Sequence, residues 1–435
     1  MKIIIVGGGL GGLTAAFRLS KSGHDVRLLE RAPQIKARGG GISIRASAAR
    51  LMQSWGLGEE LNKVCDRSAS VSYRDLHSGA EINTIHDHPD NRDWGASRRI
   101  MMDVLARSAA AAGAQLVLGT AVASVTEADD GASARITLAS GDEMTADLVI
   151  LADGISSRLR GLVLADLGPA EQFQPVADDV TLYNFEVPMP VLCAGDAPGA
   201  APRVVASDSN VTFWVGDRTQ DGYVMSRFSR QADEVRLLFA IHEKTDQATL
   251  WDESGDVDLV RRSFAAAYAD LADVLRHSEF CARWKIAEAP NLPRWHGRLG
   301  RVALLGDCAH GMHPSAGQGF ATIVEDIGVL DHVLSPADAA GVPRALRAWQ
   351  AVCKPRAERI KAFARAMTFG ISGRAGVGIK AFAAKTAKVP EGVTVDQIVP
   401  DKDAPFDSLA FFKWNSAYDC IKEVETYLAQ HPEGI

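Results

Sequence analysis

The chain has 435 residues, 47% of them hydrophobic and 23% charged, with a formal net charge of −7, which is typical of a globular protein large enough for two domains. The negative charge argues against non-specific binding of nucleic acid. The six cysteines lack a CxxC pair and no apolar run is long enough to cross a bilayer, so we predict a cytoplasmic protein without a structural metal or a transmembrane segment.

The first predicted elements form a nucleotide-binding pattern. Lys2–Val6 is predicted to be a buried parallel strand, the glycines at positions 7, 9 and 12 match GxGxxG, and a helix follows to about Ser22. A second strand, Asp25–Leu29, ends in Glu30, where a carboxylate should meet a ribose hydroxyl. A lone GxGxxG is weak evidence, but the whole unit indicates the adenosine ribose of NAD or FAD.

Two later stretches of the N-terminal part also indicate ligand contacts. Three glycines, 39–41, follow Arg38 and precede a predicted strand, a pattern that lets the backbone approach a ligand closely, with a mobile linker as the alternative. Arg98 begins a predicted helix, and its guanidinium suits a pyrophosphate or a flavin edge, although a solvated charge at a helix end would look the same.

The middle of the chain changes from a helix-strand alternation to an antiparallel pattern. An apolar strand predicted over 144–151 ends in Asp153-Gly154, a turn of the kind that binds ligands at the carboxyl edge of a parallel sheet. Between 171 and 292, segments such as Val211–Val215, 222–228 and 234–241 alternate as antiparallel strands do, and a helix is predicted over 257–276. The small-residue stretch 195–202 is predicted to be a surface loop.

A strand, a turn of small residues and a helix recur at 301–326. Gly306-Asp307 ends the strand, and Gly317 to Gly319 would let backbone amides approach a planar ring. The helix from about Phe320 would present its positive end there. This stretch predicts the second half of a flavin site, and an ordinary βα loop is the alternative. Beyond it, the basic segment 355–388 is either a solvated helix face or a docking site for an acidic partner or membrane.

With these motifs in this order, the chain resembles the single-component FAD-dependent aromatic hydroxylases, which include the salicylate, 3-hydroxybenzoate and 4-hydroxybenzoate hydroxylases. The resemblance rests on GxGxxG at 7–12, the strand 147–152 with Asp153-Gly154 after it, and Gly306-Asp307 through Gly319. It implies an α/β fold with a Rossmann-like FAD-binding domain, residues 1–170 and 293–370. An inserted antiparallel-sheet substrate domain, 171–292, and a helical C-terminal region, 371–435, complete it.

The resemblance also implies the chemistry and the cofactor site. FAD is expected as the cofactor and NADH or NADPH as a transient co-substrate, with dioxygen used to hydroxylate an electron-rich, typically aromatic small molecule through a flavin hydroperoxide. A homodimer is left open. The expected cofactor-binding residues are Gly9, Gly12, Glu30, Gly41, Arg98, Asp153, Asp307, Gly317, Gly319 and Phe320.

His313 is the candidate catalytic residue, because it precedes Pro314 beside the expected flavin, and a structural histidine is the alternative. His310 is interpreted as structural, with its bonds inside the turn. Tyr183 and Trp214 are candidates for the pocket wall, although buried aromatics more often belong to a core. Many salicylate-type members have an arginine after the aromatic residue of the first substrate-domain strand. Here Asn184 follows Tyr183, which argues against a carboxylate anchor in that place.

Two other functions fit the same sequence. A flavin-dependent NAD(P)H oxidase or reductase would give no oxygenated product. A non-catalytic FAD-binding module would bind FAD yet consume no NAD(P)H.

Overall fold

Two large β-sheets, each with helices packed on it, position the functional residues of this protein. The computed structural model describes residues 1–36, 40–68, 70–86, 93–194, 205, 211–243 and 249–432. Arg38, Gly39 and the predicted loop at 195–202 therefore lie outside the described residues.

The strands are, in chain order, β1 (Lys2–Val6), β2 (Asp25–Leu29), β3 (Gly41–Ile44), β4 (Cys65–Arg67), β5 (Ser70–Asp75), β6 (Glu81–His86), β7 (Trp94–Ser97), β8 (Gln115–Val117), β9 (Val122–Glu127), β10 (Ala134–Leu138), β11 (Glu143–Ala146), β12 (Leu148–Leu151), β13 (Val176–Pro188), β14 (Val211–Val215), β15 (Tyr223–Ser229), β16 (Glu234–His242), β17 (Trp251–Asp252), β18 (Ala282–Glu288) and β19 (Val302–Leu304).

The α-helices are α1 (Leu10–Lys21), α2 (Ala46–Met52), α3 (Gly58–Val64), α4 (Arg98–Ala111), α5 (Leu159–Val163), α6 (Met189–Leu192), α7 (Val257–Ser263), α8 (Ala269–Arg276), α9 (Asp307–His310), α10 (Gly319–Leu334), α11 (Val342–Ile371), α12 (Ile379–Lys385), α13 (Leu409–Ala417) and α14 (Cys420–Gln430). None of these helices, within the ranges that the structure describes, is both long and apolar enough to cross a membrane.

The first large sheet is parallel and carries the nucleotide-binding turns. Its strand order is β19-β12-β1-β2-β8, and every neighbouring pair is parallel. Helices cover both faces of such a sheet, so its central strand is an unbroken apolar run, and Ile3, Ile4 and Ile5 are fully buried. Because the carboxyl ends of parallel strands meet at one edge, the turns after β1, β2, β12 and β19 lie together there.

The second large sheet has eight strands in the order β17-β18-β13-β16-β15-β14-β5-β6, antiparallel except for the pair β14 and β5. Its antiparallel character agrees with the prediction for 171–292. Two of its strands, β5 and β6, come instead from residues 70–86, which the sequence placed in the first part of the FAD-binding domain. The division into domains at 170, 292 and 370 therefore remains a prediction, and residues 70–86 pack with the inserted sheet.

Two elements that were predicted to be continuous are each divided in two in the structure. The strand predicted over 144–151 is two strands, because the Asp147 N–H donates to the Lys2 carbonyl and the Lys2 N–H donates to Asp147 Oδ2, which turns the chain from β11 into the parallel sheet. The helix predicted over 257–276 is two helices, α7 and α8. Between them Phe264 enters the core and the Tyr268 N–H donates to the Leu76 carbonyl at 2.7 Å, so tertiary contacts override helical continuity.

Buried side chains form a core around the parallel sheet and one on each face of the eight-stranded sheet. The thirty-residue helix α11 contributes Trp349 to the first core and Phe363 and Met367 to one face of the second sheet. The C-terminal helices α13 and α14 pack against α2, α10 and α11. This is the predicted α/β architecture with an inserted sheet and a helical C-terminal region.

Candidate active site

A cavity of about 440 Å³ lies where the carboxyl edge of the parallel sheet faces the eight-stranded sheet. Glycine-rich turns and arginines line one end, and apolar side chains of the second sheet and α11 line the other. The two ends therefore differ in the chemistry that they offer to a ligand.

The first turn leaves the start of α1 open toward the cavity. Gly9 precedes the helix, and a Cβ added to it would meet no atom of the described residues within 4 Å. The first N–H groups of a helix lack intrahelical acceptors and favour an anion. Gly12 does not line the cavity: a Cβ there would lie 1.9 Å from the Gly7 carbonyl oxygen, so this glycine allows close packing of α1 on β1.

Glu30 is held in a fixed orientation just after β2. Its Oε2 accepts the Gly8 N–H at 2.6 Å and its Oε1 accepts the Ala32 N–H at 2.8 Å. A carboxylate has about four lone-pair sites, so both oxygens keep capacity for a hydroxyl donor. Glu30 lies beside the glycine turn and outside the residues that line the 440 Å³ cavity.

Asp307 and Arg98 both line the cavity wall, from different elements. Asp307 begins α9 after Gly306, whose positive φ of 64° makes the sharp exit from β19. Burial lowers the pKa of Arg98, and the negative charge of Asp307 opposes that shift. The Arg98 Nε has no hydrogen-bond partner in the described part of the chain. Asp153 lies behind the wall, where burial raises its pKa against hydrogen bonds from Ser157 and Cys308.

The predicted flavin turn forms the floor of the cavity. Gly317 has φ +61° and packs against Ser43 of β3, and a Cβ on Gly319 would project into space free of the described residues. Phe320 follows at the start of α10, 6% exposed. Gly41 closes the opposite side, in contact distance of Arg236. Most predicted site residues thus line one cavity: Gly9, Gly41, Arg98, Asp307, His313, Gly317, Gly319 and Phe320.

These residues fit a bound FAD. Buried guanidinium atoms, Nε of Arg45 and Nε of Arg98, lack partners within the described ranges and suit an anionic ligand. The open backbone at Gly9 and Gly319 suits a phosphate and a flat ring. The described residues contain no group of three His, Cys, Asp or Glu side chains placed to hold a metal ion.

His313 lies in the cavity wall and is 5% exposed. Its Nε2 is 3.7 Å from Asp178 Oδ2 and 3.9 Å from Glu288 Oε2. Burial lowers the pKa of His313, with the two carboxylates acting in the opposite direction. The ring is therefore mainly neutral at pH 7 and able to accept a proton. His310, predicted to bond within the turn, bonds instead to Asp326 of α10, at 2.6 Å from Nε2.

The apolar end of the cavity is formed by residues that the sequence did not single out. They are Tyr73, Phe213, Met225, Trp284, Phe363 and Met367. The predicted wall residues Tyr183 and Trp214 do not line it; they belong to the core on the other face of the sheet, where Trp214 Nε1 donates to Ser226 Oγ at 2.8 Å. Asn184 does line the cavity, since neighbouring residues of a strand point to opposite faces.

Two arginines of the second sheet also line the cavity and were missed. Arg227 on β15 and Arg236 on β16 are direct cross-strand partners. Arg236 Nε donates to Glu234 at 2.6 Å. Burial lowers the pKa of Arg227 to about 10, and the charges of Asp93 and Asp66 oppose that shift. In the sequence, the only signal for these two residues was that each is an arginine inside a predicted strand.

Part of the basic segment 355–388, for which the sequence left a solvated helix face or a docking site open, forms ion pairs within the fold. Arg356 forms a buried pair with Glu325, at 3.2 Å, and also bonds Asn415. Arg365 pairs with Glu288 and Lys380 with Asp75. These three charges are therefore used within the fold, whereas Lys385 and Lys388 are exposed, and the role of the segment as a whole stays a prediction.

Comparison with known proteins gives the same picture. The sequence profile of the family described as FAD binding domain matches residues 1–364. The 6-hydroxynicotinate 3-monooxygenase of Bordetella bronchiseptica is 28% identical over 368 residues, 83% of this chain and 89% of that protein. A salicylate hydroxylase substrate complex has the same fold, with a TM-score of 0.77, 21% identity and 97% of each chain covered.

A further solved structure is that of HpxO from Klebsiella pneumoniae in complex with FAD and uric acid. It matches with a TM-score of 0.70 and 25% identity, and the match covers 86% of this chain and 89% of that one. The predicted fold class and the predicted family are confirmed by these likenesses.

Proposed function

The chain belongs to the FAD binding domain family and is an FAD-dependent monooxygenase, and we propose that it hydroxylates a small aromatic molecule whose ring hydroxyl faces His313. One observation carries the proposal: the flavin turn at Gly317 and an apolar aromatic wall share one cavity with a buried, mainly neutral histidine. The relatives support the predicted monooxygenase and not the oxidase or the binding module.

We assign the cofactor contacts to the predicted residues. Glu30 would bind the ribose, the start of α1 at Gly9 the pyrophosphate, and Arg98 and Asp307 the middle of FAD. The flavin ring would be surrounded by Gly41, Gly317, Gly319 and Phe320. Gly12 and Asp153 would support the cofactor-binding turns from outside the cavity. When FAD is bound and reduced by NADH or NADPH, it activates dioxygen, so that one oxygen atom enters the substrate and the other leaves as water.

The chain's own residues have three tasks in this reaction. The apolar wall, including Phe213 and Trp284, holds an aromatic ring and excludes water, which limits wasteful loss of activated oxygen. The polar end fixes the cofactor. His313 accepts the proton of the ring hydroxyl, which makes the ring more electron-rich. We further propose a cytoplasmic enzyme and leave a homodimer as one assembly to be tested by light scattering.

The test is oxidation of NADH and NADPH by the FAD-loaded protein with salicylate, 6-hydroxynicotinate, uric acid and related phenols. Under labelled dioxygen, a substrate-stimulated rate and a product that gains one labelled oxygen are expected. Hydrogen peroxide as the sole oxygen-derived product with every compound would favour the oxidase. FAD retention without any NAD(P)H oxidation would favour the binding module.

A further inference from the structure

We infer that Asp178 and Asp179 form a proton exit from the cavity, which carries the proton taken up by His313 to the protein surface. The inference rests on the proposed function, since it concerns the proton of the same ring hydroxyl. A group buried at a cavity wall must return to its starting protonation state before the next turnover, so a route to solvent is needed.

The route begins at His313. Asp178 of β13 is the nearer of the two carboxylates that face its Nε2, at 3.7 Å, and its side chain is only 10% exposed. That distance is beyond a direct hydrogen bond and within reach of one bridging water or a small rotation of the ring. Asp178 is therefore the carboxylate nearer to His313, and it is not among the residues that line the cavity.

The route continues to Asp179, the next residue of the strand. The Arg374 Nη1 donates to Asp178 Oδ1 at 2.7 Å and to Asp179 Oδ1 at 3.0 Å, so one guanidinium holds both carboxyl groups. The Asp179 side chain is 55% exposed. Asp178 is therefore linked on one side to the cavity histidine and on the other to a carboxyl group in contact with solvent.

The pKa values of the two carboxyl groups are shifted in opposite directions. Burial would raise the pKa of Asp178, but a hydrogen bond shared with Asp179 and the charge of Arg374 lower it to about 2. The same shared hydrogen bond raises the pKa of Asp179. A proton that reaches the pair thus settles on its exposed member, and Asp178 carries it only briefly.

Glu288 of β18 is the competing group near His313, at 3.9 Å. It is paired with Arg365, and Lys361 lies 3.9 Å from it. Both cations lie against Glu288 itself, and no carboxyl group within the described ranges is hydrogen-bonded to it, so Glu288 offers no onward carboxyl group. The charged groups facing His313 are Asp178, Glu288, Arg365 of α11 and Arg374 after α11, with His242 of β16 next to Asp179.

The proton balance is simple. The substrate O–H bond breaks, its electron pair stays on the substrate oxygen, and a new N–H bond forms on the His313 ring. The Nε2 proton then passes to Asp178, from there to Asp179, and finally to water. His313 is then neutral with its proton on Nδ1, proton exchange with water restores the starting tautomer, and no oxidant or reductant is consumed.

The experiment follows the proton with 4-nitrophenol as the probe. FAD-loaded protein without NADH or NADPH is mixed with it in weak buffer containing a pH indicator, below the ordinary pKa of the phenol. The wild-type protein should release a proton. Asp178→Asn should slow this release about tenfold, and Asp179→Asn should slow it in the same direction. Above the pKa of the phenol the variants should behave alike, a convergence that a general packing defect would not produce.

Two variants serve as controls. Glu288→Gln removes the competing carboxylate, and it should slow the release far less than Asp178→Asn does. Asp252→Asn removes a carboxylate paired with Arg283 at 2.8 Å elsewhere in the same sheet and should have no effect. FAD content is measured for each variant, and Asp179→Asn, at an exposed site, keeps the test valid if Asp178→Asn does not fold.

Unchanged proton release in both aspartate variants, slowing by Glu288→Gln instead, or no release by the wild-type protein would overturn the inference. The proposed function fails differently: the wild-type protein would release the proton yet give no oxygenated product with any phenol.

Discussion

Replacement of Glu30 by alanine tests how the protein selects its cofactor. The carboxylate accepts two backbone N–H groups at 2.6 and 2.8 Å, and a ribose hydroxyl would add a third, charge-assisted bond. Such a bond contributes roughly 1.5–3 kcal/mol, so Glu30→Ala should weaken FAD binding about 10- to 100-fold. Titration of the FAD-free protein with FAD, followed by flavin fluorescence, measures the dissociation constant.

A second flavin separates the ribose contact from damage to the loop. FMN lacks the adenosine half, so its affinity should change little in Glu30→Ala, and the preference for FAD over FMN should shrink. Equal weakening of FAD and FMN would mean that loss of the Gly8 and Ala32 hydrogen bonds has disturbed the whole turn, and would refute the ribose assignment. Glu253→Gln, at an exposed residue paired with Lys36, is the matched control.

Three further predictions concern the reaction, the packing of α1 and acid stability. His313→Gln should retain FAD but lower the hydroxylation rate about 100-fold, with less product per NAD(P)H, and an unchanged yield would return His313 to a structural role. Gly12→Ala places a Cβ 1.9 Å from the Gly7 carbonyl oxygen, so urea unfolding should show a loss of about 1–3 kcal/mol together with FAD loss, whereas full stability would contradict the packing argument. Burial alone would raise the pKa of Asp75, but Lys380 and nearby N–H and O–H donors hold it well below its usual range. Its stabilisation is therefore fully present above the ordinary carboxyl pKa of about 4 and declines as pH falls toward its own, much lower pKa, so in urea titrations Asp75→Asn should be less stable than wild type at pH 7, and the difference should shrink but persist at pH 3.

The flavin half of the site could be predicted from the sequence because each of its parts is local. Lys2–Val6 and Asp25–Leu29 were predicted to the residue, since the first contains the apolar run of a strand buried on both faces and the second ends in an apolar pair just before Glu30. Gly306-Asp307 follows such a strand almost at once, and Gly317 to Gly319 come after the short helix α9. The parallel arrangement then brings the separate turns to one edge without further information.

The substrate half could not be predicted, because both faces of the eight-stranded sheet are covered. On β13, Leu182 belongs to the core on the cavity side and Tyr183 to the core on the opposite side, and both are buried. Because neither face of this sheet is exposed to solvent, the alternation of side chains along β13 does not show which residues face the cavity. Tyr183 was therefore predicted to line the cavity, whereas Asn184 does. Strand β5 was also missed, although it supplies Tyr73 to the wall.

Two arginines of the basic segment form ion pairs that the sequence could not predict. Arg365 and Arg374 lie in or just after α11, and their partners Glu288 and Asp178 lie on strands of the second sheet. An exposed ion pair contributes little to stability, but these carboxylates are largely buried and face His313 as well. The pairs that hold α11 on the sheet therefore also set the electric field at the cavity histidine. A change in that packing should alter proton uptake at His313 even when the flavin turn at Gly317 to Gly319 stays intact.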